Sequence, residues 1–411
     1  MRVSTLQRTL GTGRAMAIGL ASMIGAGVFF VWVPAAHAAG SSLLIGLVIA
    51  AVVAILNALS SAQLAIVHPV SGGTYAYARA TVGPWTGFAA GWLFLAGKTA
   101  SVGAIALIAG GYLWPDQARA VAIIAVVVLA VVNMTGIRST ATVSIAVVAV
   151  VLAGLIAVAV SALVAPPGGV ALSARGGDLY GVLQSAGLLF FSFAGYARMA
   201  TLGEEVRNPR RVLPRAIIGA LSVTLMIYLG IGVLCIGLLG TDALADSSAP
   251  LADLVAATPW FSPVIRIVAG IACFGSLIGI LAALSRTSLA MARERDLPGP
   301  LGFISNRTHA PVLAEAVFAI LAIVGIMVLE PARLVGFSAC AVLVYYSIAH
   351  LSAFRQPESE RWLPRATQVV GFAGCLLLAV TLPWQAIIYA AGVLAVGLAV
   401  RALALRARAA R

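Results

Sequence analysis

Two glycine-bearing stretches and one lysine carry the chemistry that this chain can do. Residues 19–30 read GLASMIGAGVFF, with Gly19, Gly25 and Gly27 inside one apolar run. Glycine weakens a helix by roughly 1 kcal/mol relative to alanine, so a cluster marks backbone that must unwind or approach a neighbour closely. Residues 190–196, FFSFAGY, gather small residues again around Ser192, Ala194 and Gly195. Where a helix unwinds inside a bilayer, the half-helix N-terminus presents N–H groups and a positive dipole end, which suit a carboxylate. The freed carbonyls suit an ammonium. Two facing interruptions can hold both charges of an amino acid with backbone alone. On glycines alone, a notch for close helix packing is an equal reading.

Lys98 is the only lysine in the chain and sits in the apolar run GWLFLAGKTASVGAIAL. A charge at the bilayer centre costs about 2.5–3.5 kcal/mol even on the lenient insertion scale, so ionisable residues there default to function. Burial disfavours the charged form of an amine, which suits Lys98 to proton coupling or to gating a charged substrate. A structural lysine bonded to freed backbone carbonyls is the competing reading. Arg198, just past the second stretch, either snorkels to an interface or pairs with Glu204 or Glu205 in a gate. Tyr345 and Tyr346 are candidates to close one end of a path.

The elements that position these groups follow from composition. The 411 residues are 62% hydrophobic and 9% charged, with a mean hydropathy of +1.06. Too few polar side chains exist to cover a water-facing surface, so the chain reads as an all-α integral membrane protein. A hydrocarbon core of ~30 Å needs ~20 apolar residues per helix. That ruler marks twelve spans, at 14–36, 41–66, 86–113, 119–135, 140–164, 180–203, 213–239, 262–285, 311–329, 332–354, 366–382 and 384–404. The N-terminus reads as a first span rather than a cleaved leader. With it in the cytoplasm, inner segments hold 20 arginines and outer segments only Arg119, Arg175, Arg266 and Arg333. That asymmetry orients both termini inward in a cell membrane.

Other function classes fit poorly. The net charge of +13 is scattered at loop ends without interleaved aromatics, which argues against nucleic acid. No GxxxxGK[ST] motif appears, disfavouring ATP-driven transport. The scarcity of His, Asp and Glu disfavours a membrane enzyme, and no cofactor or metal is expected. Cys235, Cys273, Cys340 and Cys375 lie in apolar runs without CxxC spacing and read as buried small hydrophobes. His37, His68, His309 and His350 fall near helix ends and read as interfacial.

The tail of the second stretch sharpens the reading. Residues 190–217, FFSFAGYARMATLGEEVRNPRRVLPRAI, carry Glu204-Glu205, Asn208-Pro209, Arg210-Arg211 and Pro214-Arg215-Ala216. This resembles the amino acid–polyamine–organocation permeases. Their first-helix GxG matches Gly25-Ala26-Gly27, and their loop after helix 2 matches residues 69–75, PVSGGTY. The end of their helix 8 matches residues 284–298, LSRTSLAMARERDLP. The matches run in order over the first 300 residues.

The resemblance implies a LeuT-like fold: a five-plus-five inverted repeat with helices 1 and 6 broken at mid-membrane and helices 11 and 12 appended. The repeats would span 14–164 and 180–354, with 366–404 added, in a single domain. Ile24, Gly25, Ala26 and Gly27 would offer N–H groups to the substrate carboxylate. Phe193 and Ala194, beside Ser192 and Gly195, would offer carbonyls to its amine. Phe191 falls where the family keeps an aromatic lid. The acid that many members carry after the helix 6 break is Ala197 here, and a stacking Trp of the arginine–agmatine exchangers is Ile280. Both departures favour a small neutral amino acid over a cationic one. Some members use a buried helix 5 lysine in place of sodium; that helix lacks one here, which turns attention to Lys98. The expectation is a secondary transporter working by alternating access, with protons favoured over sodium as the coupling ion. An amino acid or polyamine exchanger or exporter is the runner-up. The family includes monomers and dimers, so oligomeric state stays open.

Overall fold

A computed structural model describes residues 11–68, 72–135, 141–168, 176–196, 206–308 and 310–409. Its elements are helical, apart from one isolated bridge between Gly40 and Gly176. Helices run α1 (Thr12–Met23), α2 (Ala26–Phe30), α3 (Trp32–Ala39), α4 (Leu43–Val67), α5 (Thr74–Thr81), α6 (Pro84–Leu113), α7 (Ala118–Met134), α8 (Ala141–Val164) and α9 (Leu179–Phe193). They continue with α10 (Pro209–Leu234), α11 (Thr241–Asp246), α12 (Pro250–Asp253), α13 (Ser262–Arg293), α14 (Val312–Val328), α15 (Pro331–Arg355), α16 (Arg365–Thr381) and α17 (Trp384–Ala409). Among the described residues nine helices are long and apolar enough to cross a membrane, and α14 and α16 are shorter apolar helices.

Among the described residues a helix lies in each apolar run expected from sequence, most with ends within a few residues of those expected; residues 197–203 of the sixth run lie outside the described residues. The first run differs in kind, because three helices, α1 to α3, divide it. Backbone chemistry explains several of the boundaries. Proline at the first position of α6, α10 and α15 needs no N–H partner. Asp178 caps α9 by accepting from the Gly181 N–H at 2.7 Å. In the loop before α5, Gly72 and Gly73 hold φ of 111° and 56°, where an L side chain is strained.

Burial sorts the helices into pillars and walls. In α6, 94% of the apolar window is buried, and in α15, 83%, against 28% in α7 and 22% in α17. The wall helices point large apolar side chains outward, such as Ile124, Leu163 and Val396, as lipid-facing helices do. The pillars instead carry small residues at their contacts. Gly97 of α6 faces Ala341 and Val342 of α15, while Gly103 faces the Ala322 carbonyl of α14. In lipid, where the hydrophobic effect does not drive helices together, such close approach supplies the packing energy. All four cysteines are free and buried. His350 departs from the interfacial reading: it is 0% exposed, with its ring between Ser60 Oγ at 3.0 Å and Asn57 Oδ1 at 2.6 Å. Both ring nitrogens are satisfied by α4, so burial costs the neutral imidazole little.

Candidate functional site

The glycine run is where the first helix stops. α1 ends at Met23, Ile24 and Gly25 lie outside helix, and α2 restarts at Ala26. Ile24, Gly25, Ala26 and Gly27 are all buried. Two close approaches require the glycines. A Cβ on Gly25 would overlap Ser276 Oγ of α13, and one on Gly27 would stand 2.9 Å from the Ser192 Cα of α9. The two stretches singled out from sequence, 165 residues apart, therefore touch. In the second, α9 ends at Phe193 and Ala194–Tyr196 form a single 3-10 turn. Ser192, Phe193 and Ala194 are buried; Phe191 and Gly195 are partly exposed. Arg198, Ala197 and the Glu204-Glu205 pair lie outside the described residues.

Tyr228 of α10, which the sequence offered no reason to select, joins both stretches. Its hydroxyl donates to the Met23 carbonyl at 2.9 Å, one of the carbonyls freed where α1 stops. Its ring lies 5.4 Å from that of Phe193 and 6.0 Å from that of Trp32. The enclosed Ser192 Oγ adjoins the same hydroxyl without completing a hydrogen bond. Ile280 lies one helical turn beyond Ser276, on the α13 face that meets Gly25, and is partly exposed.

Lys98 is residue fifteen of the thirty in α6 and is 8% exposed. It makes no hydrogen bond or ion pair among the described residues. Phe94, Lys98, Ser101, Ile105 and Tyr112 recur at helical spacing on one face. Below Lys98 on that face, Phe94 lies 5.1 Å from the Tyr345 ring, and Tyr345 Oη accepts from the Thr74 N–H at 3.2 Å. Above it, the Tyr112 hydroxyl donates to the Phe29 carbonyl at 2.8 Å and accepts from the Leu251 N–H. The lysine thus stands one helical turn from the Phe94–Tyr345 contact and nearly four turns from Tyr112. Beyond Phe29, a cavity of about 230 Å³ is lined by Phe30, Ile108 and Gly111, with the Arg119–Glu330 pair (2.6 Å) at its edge.

At the Tyr345 end a charge cluster ties three elements. Asp296 Oδ2 accepts from Tyr75 at 2.9 Å and Arg79 at 3.0 Å, while Oδ1 pairs with Arg401 of α17 at 2.7 Å. Arg401 also lies over the rings of Phe88 and Trp85, at 4.7 and 5.1 Å. Among the described residues no group of three His, Cys, Asp or Glu could hold a metal.

A bundle with nine helices long and apolar enough to cross a membrane among the described residues, its first apolar run interrupted at the core, fits a polytopic membrane protein. Comparison with known proteins makes the class specific: the amino acid permease family profile matches residues 14–401, and the chain belongs to that family. It is 47% identical over 398 residues to an uncharacterized transporter of Mycobacterium tuberculosis, covering 96% of this chain and 90% of that one. It is 27% identical to a branched-chain amino acid permease of Bacillus subtilis, covering 93% and 90%. A cationic amino acid transporter of Arabidopsis thaliana is 27% identical, covering 88% of this chain and 65% of its own. These relatives are amino acid permeases and transporters, not enzymes, and amino acid transport across a membrane is the activity that the family defines.

Proposed function

We propose that this chain is a secondary transporter that takes up a small neutral amino acid together with protons by alternating access. The observation that carries the reading is the contact of Gly27 with Ser192, which joins the interrupted α1–α2 segment to the end of α9. Facing interruptions suit a zwitterion: N–H groups of Ile24 to Gly27 for the carboxylate, carbonyls of Phe193 and Ala194 for the amine. Phe191 and Ile280, both partly exposed, would contact the side chain, whose neutrality fits an apolar Ile280. Twelve crossings in a five-plus-five repeat, with both termini cytoplasmic, accord with the arginine distribution. In that orientation Tyr345 and the Asp296 cluster close the cytoplasmic side, and Tyr112 and Phe29 the outer side.

Lys98 is the coupling group in this scheme. A lysine halfway along α6 with no partner among the described residues can release its proton when the path opens to the cytoplasm and regain it outside. Its charge would also repel cationic side chains. Thermal-shift screening of purified protein against the twenty amino acids, polyamines and sodium tests the substrate class. A ligand at 100 times its Kd adds about 2.7 kcal/mol. Stabilisation by polyamines alone would refute the neutral-substrate reading, and absence of counterflow in proteoliposomes would refute a carrier.

A further inference from the structure

Glu315 is the one carboxylate within the twelve apolar runs of the sequence. It lies in the first turn of α14 and is 3% exposed. Its Oε2 is fully enclosed and has no hydrogen-bond partner among the described residues. Ser285 of α13 and Asn133 of α7 adjoin its carboxyl, and the Asn133 amide also donates to the Ile278 carbonyl at 3.3 Å. A buried ionised carboxylate is held in proteins by an ion pair or a full set of donors. Glu315 has neither, since no ion pair to it exists among the described residues. An acid so placed can exist without a partner for its second oxygen only at low cost if it carries a proton.

Among the described residues the charges around it are few. The elements packed on α14 are α6, α7, α13 and the turn Gly299–Gly302. From α13, Arg286 acts on Glu315 but is itself exposed and forms no pair with it; Arg266 at the far end bonds the Tyr112 carbonyl, and Arg293 ends the helix. From α7 the only ionisable group is Arg119, at the opposite end and paired with Glu330. The turn carries none. From α6 the ionisable groups are Lys98 and Tyr112, whose hydroxyl bonds the Phe29 carbonyl; Lys98 lies five residues before Gly103, which meets Leu334 of α15 and the Ala322 carbonyl of α14. Five residues are one full turn and about 140° more, so Lys98 leaves α6 well away from the direction of Gly103.

We propose that Glu315 is a second, exchangeable proton-binding site of this bundle, separate from the path that Lys98 faces. Its neighbours make it a station that reports on α13: one end of that helix's contact surface, at Ser276, abuts Gly25, while Ser285 abuts Glu315. A shift of α13 at the substrate break therefore alters what surrounds the carboxyl, and by linkage protonation there alters the break. The extension to transport rests on the proton-coupled reading above.

The test separates the two. Dicyclohexylcarbodiimide modifies protonated carboxyls in apolar surroundings, and peptide mapping of the intact protein in detergent locates the adduct. Modification of Glu315 should occur at low pH and fall about tenfold per pH unit once the carboxyl titrates. Glu315→Gln should take no label in that peptide, and it should flatten the pH profile of uptake while Glu315→Asp restores a profile. Absence of label on Glu315, label that does not change with pH, or protection by sodium at constant pH overturns the proposal. So does an unaltered uptake profile in a folded Glu315→Gln protein. A wild-type uptake that ignores pH would refute proton coupling, and the labelling series alone would then decide whether Glu315 exchanges a proton.

Discussion

A Cβ placed on Gly27 would stand 2.9 Å from the Cα of Ser192, so the first and second glycine stretches meet backbone to backbone. At Gly25 the nearest obstacle is instead the Ser276 hydroxyl, with the Ser276 Cβ at 3.4 Å. A hydroxyl can rotate away; a Cα cannot. Gly27→Ala should therefore cost about 1–3 kcal/mol as an overpacked contact, and Gly25→Ala less. Thermal unfolding in detergent and uptake at saturating substrate should both rank Gly27→Ala as the more damaged variant. The reverse order would mean that the α1–α2 interruption is not pressed on α9.

Tyr228→Phe removes the only side-chain donor seen on the Met23 carbonyl and keeps the ring contacts to Phe193 and Trp32. Leaving a buried carbonyl with less than its usual partners costs about 1–3 kcal/mol. A lower melting temperature is expected, with substrate affinity reduced more than expression. Wild-type affinity in this variant would show that the hydroxyl does not shape the interruption.

Lys98→Ala should change the pH profile of uptake, leaving only the part that Glu315 contributes, and Lys98→Arg, which cannot lose its proton near neutral pH, should stop coupled uptake while leaving the protein folded. The informative measurement is initial uptake rate against pH in proteoliposomes. An unchanged pH profile in folded Lys98→Ala would remove Lys98 from coupling.

Asp296 is held by Arg79, Arg401 and Tyr75, and its side chain is 6% exposed. Removing one partner of a buried ion pair costs about 3–5 kcal/mol. Asp296→Asn should accordingly lower the melting temperature strongly. Arg401→Met, which keeps the stem against Phe88 and Trp85, should lower it less, because Arg79 still satisfies the acid. Equal losses would indicate that α17, not the loop helix α5, is the main anchor of this cluster.

Much of the bundle was legible because hydropathy over twenty residues is a local property. The runs at 41–66 and 332–354 match α4 and α15 to within two residues. The Gly25 interruption was legible too, since small residues inside an apolar run have few other uses. Tyr228 was not, because one tyrosine in an apolar helix gives no sign of which backbone carbonyl it will reach. His350 misled for a related reason: five residues from the end of α15 it looks interfacial, yet α4 supplies Asn57 and Ser60 to bury it.

What the chain's own order of residues determined is the solvent it needs, the number and length of its apolar runs and the places where helix propensity fails. Those follow from properties summed along a few turns, which no neighbour can change. Only the tertiary structure decided that Gly27 meets Ser192, and that among the described residues Lys98 has no hydrogen bond or ion pair and Glu315 is enclosed without an ion pair. Whether a buried charge finds a partner depends on which helices pack around it. That is a matter of distances between residues far apart in sequence, set by the close approach of small residues across the pillars α6 and α15.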